Sequence, residues 1–135
     1  MSKKLLKSDR VRKIKGSFAF VEHRFLRDGF FENLTHNELL LYFFLTIVSN
    51  KNGVSWYGYD KICSILRWML EEYLDARDGL INKDLVAFDG YVFQVLDLPD
   101  KPVAEKAQSR KTQDDIVKVD PAAIRNLIQS VGKRI

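Results

Sequence analysis

At 135 residues, 46% hydrophobic and 12% aromatic, the chain suits one globular core with tails and is not disordered by composition. Its net charge of +4 conceals a segregation: nine basic side chains against two acidic in residues 1–27, five against twelve in 28–100, and eight against four in 101–135. No apolar run reaches the ~20 residues of a membrane span, the basic N-terminus lacks the apolar core of a secretory signal, and the lone Cys63 precludes an internal disulfide, so a cytoplasmic setting with no membrane partner is expected.

Residues 1–16 form a basic arm ending at Gly16-Ser17, with a weak apolar pattern at Leu5, Leu6, Val11 and Ile14. Phe18, Phe20 and Glu22 share one alternation, which reads as a short extended piece or the lead into a helical turn near His23 to Asp28. The first clear helix opens on Thr35-His36-Asn37-Glu38, a capping box in which hydroxyl and carboxylate satisfy reciprocal backbone amides. Leu34 and Leu39 supply a staple around it. Leu39 to Val48 is apolar nearly all round, which predicts a central helix buried on every side. Asn50-Lys51-Asn52-Gly53 ends it, because Asn and Gly tolerate left-handed backbone.

Val54 to Gly58 is a candidate short strand, followed by a second helix over Tyr59 to Leu66 with Ile62, Cys63, Ile65 and Leu66 on its apolar side. Arg67-Trp68 makes a turn into a third helix from about Met69 to Lys83. Its core stripe is Tyr73, Ala76, Arg77, Leu80 and Ile81. Leu70, Glu71, Glu72, Leu74, Asp75 and Asp78 fall on its outer positions. Asp89-Gly90, between two β-prone runs, predicts a two-residue hairpin turn. Residues 17–99 are thus expected to form the domain, and 100–115 a solvated linker. In 116–135, Asp120-Pro121 and Gly132 bracket an amphipathic helix whose stripe is Ile124, Leu127, Ile128 and Val131.

This order of elements resembles the winged helix-turn-helix domains of bacterial GntR-type regulators. It also looks like the N-terminal domains of plasmid and phage replication initiators and DnaD-like proteins. The residues that carry the likeness are Leu66, Trp68, Tyr73, Ala76, Leu80 and Lys83-Asp84-Leu85-Val86, the last standing where the pattern has Lys/Glu-Gly-Leu-Ile. The resemblance implies a mainly α fold with a small β-hairpin wing, and DNA binding in replication or transcription control on a bacterial mobile element. One departure matters: the helix that normally enters DNA carries Glu71, Glu72, Asp75 and Asp78. Near a helix N-terminus carboxylates favour the macrodipole, but against phosphates they repel.

The nucleic-acid candidates are therefore the arm cations Lys3, Lys4, Lys7, Arg10, Arg12, Lys13 and Lys15, with Lys61 and Arg67 as secondary contacts. The bland reading of the arm is a solubilising tail. The competing function is a docking or dimerisation module that uses Glu71, Glu72 and Asp75 together with Ile124, Leu127, Ile128 and Val131. Neither histidine, His23 or His36, has a partner set for a metal or for catalysis, and no Gly-rich phosphate loop is present, so no cofactor and no enzyme are expected. Cys63 reads as a core thiol. Trp56, Tyr57 and Tyr59 read as packing between strand and wing, with stacking on bases or a partner as the alternative.

Overall fold

A computed structural model describes residues 5–104. It contains a 3-10 turn at Ser8–Arg10, helices α1 (Arg24–Arg27), α2 (His36–Val48), α3 (Tyr59–Leu66) and α4 (Leu70–Asn82), and strands β1 (Val54–Ser55), β2 (Val86–Phe88) and β3 (Phe93–Val95). The three strands form one antiparallel sheet in the order β1-β3-β2. The fold is mainly helical with a small sheet. The predicted helix at 116–135 and its stripe lie outside the described residues, as do Lys3 and Lys4.

The capping box forms as read: Glu38 N donates to Thr35 Oγ1 (3.1 Å) and Thr35 N to Glu38 Oε1 (3.0 Å). From that cap α2 runs through the core on Leu41 and Leu45, both fully buried, and packs against α4 and β3. Side chains buried this way contribute roughly 1.5–3 kcal/mol each. One expectation fails here. α2 is not buried all round: Leu40, Phe43 and Ile47 face outward. Their i, i+3, i+7 spacing makes them a second face, and a domain of this size has no further element among the described residues to lay over it.

The loop after α2 is held by Asn50, whose Oδ1 accepts from Asn52 N (2.9 Å) and Val54 N (3.1 Å). Gly53 then lies so close to β3 that a Cβ there would meet the Val95 carbonyl at 2.5 Å. The helix α3 has the predicted bounds, but Ile65 is exposed, leaving Ile62 as its buried anchor. Its eight residues give too few turns for a four-residue stripe. Arg67 ends α3 in the left-handed region (φ 58°), its amide donating to the Cys63 carbonyl.

α4 buries Tyr73, Ala76, Arg77 and Leu80 as expected, with Ile81 of the same stripe only half-buried, and buries Leu74 as well, which the outward assignment missed. Contact with both α2 and α3 widens the buried arc of this helix. The Arg77 guanidinium lies over the rings of Tyr73 (5.5 Å) and Phe88 (5.1 Å). Below α4, Asp84 adopts φ 62° and turns the chain into β2. Phe88 pairs with Phe93, and Asp89 N donates to the Val92 carbonyl (3.3 Å), so the turn centres on Gly90-Tyr91, one residue beyond the expected Asp89-Gly90. Asp89 prefers to cap: its Oδ1 accepts from Tyr91 N (2.9 Å) and Val92 N (2.8 Å). The pairing shifts by two residues, so the same faces stay inward.

The core also holds a buried ion pair. Glu38 Oε1 meets Lys83 Nζ at 2.7 Å, with each side chain 6% exposed, and Lys83 Nζ also donates to the Asn33 carbonyl (2.8 Å). Gly79 leaves the space for it, since a Cβ there would collide with Glu38 Oε2.

Candidate functional site

Lys7, Arg10, Arg12, Lys13 and Lys15 are all exposed, as is the whole backbone stretch from Leu5 to Glu22. Among the described residues no carboxylate forms an ion pair with these five cations; the acidic groups of the body are engaged elsewhere or face solvent. The ordered turn at Ser8–Arg10 closes through Arg10 N donating to the Lys7 carbonyl (3.1 Å). Phe18 to Glu22 then runs along a cleft of about 440 Å³ between the end of α2 and β3.

Lys61 is exposed in the first turn of α3, and Arg67 is exposed at its end. Arg67 sits at the α3–α4 turn because the αL cap puts it there. On α4, Glu71, Glu72 and Asp75 are all exposed. Glu72 serves its own helix, for its Oε1 accepts from Met69 N (2.8 Å) and so caps a helix that lacks a Ser or Thr at its start. Glu71 and Glu72 also lie in the first turn, where negative charge offsets the helix dipole. Asp78 accepts from Asn82 Nδ2 (3.2 Å). Glu72 and Asp78 are thus tied to the helix itself.

The aromatic group divides. Tyr57 stands edge-on to Phe44 (5.3 Å) and Tyr59 lies near Tyr73 (6.0 Å), both packed on the core. Trp56 does not join them and is exposed. Cys63 is half-buried against the core. Among the described residues no group of three or more His, Cys, Asp or Glu side chains could hold a metal ion, and no helix is long and apolar enough to cross a membrane.

A further surface was not foreseen from the sequence. Between α1, the loop after it and the outer face of α2 lies an apolar groove of about 780 Å³. Val21, Leu26, Phe31, Leu40 and Phe43 line it, with His23, Arg27 and His36 alongside. Leu26 is 63% exposed and Phe43 60%. The groove is built by Phe25, which stacks on Tyr42 (4.9 Å) and Phe30 (6.1 Å) and meets Phe31 edge-on (6.1 Å), pinning α1 to α2. Burial pushes the Tyr42 phenol above its ordinary pKa, with the nearby Glu22 charge adding to the shift. At the foot of α1, Asp28 accepts from Arg27 Nε (3.1 Å) and Arg24 Nη1 (3.4 Å). Arg27, then Arg24, holds its carboxyl below the usual range. The α2 spacing of Leu40, Phe43 and Ile47 was the available signal.

Comparisons with protein-family models, curated proteins and solved structures find no match to the chain.

Proposed function

We propose that the chain is a winged-helix protein that binds DNA through its basic N-terminal arm, in replication or transcription control on a bacterial mobile element. The observation that carries the binding step is the exposed run of cations from Lys7 to Lys15, which form no ion pair among the described residues. The fold reading is supported by the order α2-β1-α3-α4-β2-β3 with β3 between β1 and β2. It is also supported by Asp84, whose positive φ matches the glycine position of the resembling pattern. Arg67 and Lys61 are auxiliary phosphate contacts, while α4 contributes structure rather than base reading, because Glu71, Glu72 and Asp75 would face phosphates.

Fluorescence polarization on a duplex across a salt series tests this. Removing residues 1–15 is expected to abolish most of the affinity and to flatten its salt dependence. Equal binding by the truncated protein overturns the arm mechanism.

A second reading, a docking or dimerisation module, is favoured by one specific observation: the apolar groove over α1 and α2, where exposed Leu26, Phe31, Leu40 and Phe43 lie together instead of scattered. The acidic outer face of α4 is a further surface in this reading. Light scattering after size exclusion discriminates, since a strict monomer that binds DNA removes the dimer.

A further inference from the structure

We infer that the apolar groove on α1 and α2 is the seat of this chain's own segment 121–131, bound in cis. The inference deepens the docking reading by naming the occupant, and it does not depend on DNA binding.

The path of the chain carries it. Beyond β3 the backbone returns to α1: Arg24 Nη2 donates to the carbonyls of Leu98 (2.8 Å) and Pro99 (3.0 Å). It then passes Gly29, where Pro102 Cγ lies 3.7 Å from the place of a Cβ, and reaches Val103, whose carbonyl accepts from Asn33 Nδ2 (3.0 Å). Asn33 is two residues from Phe31, which lines the groove. The described chain therefore ends at the edge of the groove, with 31 residues still to come.

Those residues carry a matching element. Ile124, Leu127, Ile128 and Val131 repeat at helical spacing between the Asp120-Pro121 start and the Gly132 stop. At helical spacing Ile124 to Val131 would span about 10 Å; on α2 the exposed groove residues Leu40 and Phe43 cover about 4.5 Å of that, and Val21, Leu26 and Phe31 extend the apolar lining beyond them. The needs are complementary: the apolar groove has no cover among the described residues, and a sequence with one short apolar stripe gains stability by docking it. Positions 104–120 are enough to reach, since a chain of about 17 residues spans at most roughly 56–61 Å. A tether of that length gives a millimolar effective concentration, which favours the attached segment over a second copy at ordinary protein concentrations.

Hydrogen exchange on the full-length protein, read by mass spectrometry, tests this. Amides of 121–131 are expected to exchange about tenfold or more slowly than unstructured amides. That protection should vanish in Phe43→Asp and in Leu127→Asp, persist in Asn126→Asp on the opposite side of the stripe, and hold over about a hundredfold dilution. Phe43 is exposed, so its substitution leaves the core intact. Unprotected exchange in the native sequence overturns the inference. So does protection that fades on dilution together with a dimer mass in light scattering, which would give the groove to a second copy.

Discussion

Glu38, Lys83 and Gly79 constrain one another within a few ångströms. Glu38 spends one oxygen on both the α2 cap and the Lys83 ammonium, and its other oxygen fills the space a side chain at 79 would need. Lys83→Met or Glu38→Gln each leaves one partner of a buried pair uncompensated, with an expected loss of about 3–5 kcal/mol. The double variant Glu38→Gln/Lys83→Met should recover part of that, read as the urea midpoint at unchanged m-value. Gly79→Ala forces a displacement of Glu38 and is expected to cost about 2 kcal/mol or more by the same measurement. Arg67 gives the opposite sign. A β-carbon in the left-handed region costs about 1–2 kcal/mol, so Arg67→Gly is expected to raise stability by up to about 1 kcal/mol after the added chain entropy. If Arg67 also meets phosphate, the same variant binds DNA more weakly while melting higher.

At the scale of elements, the hairpin offers a pH test. Asp89 is held below the ordinary carboxylate range by the amides of Tyr91, first, and Val92. A depressed folded pKa means its contribution is present above the unfolded value of 3.8 and is lost as pH falls through the folded value. Asp28 acts in the same direction. Asp89→Asn should therefore flatten the acid limb of a thermal-melt profile below about pH 4 and leave the neutral region's slope unchanged. These elements differ in how far they could be read in advance. The α2 cap, the bounds of α3 and the α4 stripe are local: Thr35 to Glu38 and the 3.6-residue period suffice. The hairpin register was displaced because Asp89 serves as a cap rather than as a central turn residue, a choice between two favourable local chemistries. The Glu38–Lys83 pair joins residues 45 apart, and no periodicity reports such a meeting. The groove hid for a different reason: a helix apolar on all sides implies burial only if enough protein surrounds it.

For the whole molecule, the charge available to the proposed DNA complex lies in the arm and not in the acidic body. If the seven cations from Lys3 to Lys15 all neutralise phosphates, the slope of log affinity against log salt should be about −6, because each contact contributes about −0.9. Arg10→Ala/Arg12→Ala is then expected to make the slope shallower by nearly 2 across every duplex sequence tried, as backbone contacts carry no base information. A loss confined to one sequence would instead point to groove readout by these arginines. The arm was legible as charge alone. That its five described cations form no ion pair with the body's carboxylates was not, since that depends on where twelve acidic side chains of residues 28–100 end up in space.

The Arg24 fork has a topological consequence. By clasping the carbonyls of Leu98 and Pro99 it makes the entrance and the exit of the fold neighbours, although they are more than 70 positions apart along the backbone. The arm that precedes α1 and the chain that leaves β3 therefore start from one place on the body. A short tether between the two ends would close the body into a ring without disturbing it, and the helices and sheet could then be reopened at the Lys51–Asn52 loop as a circular permutant.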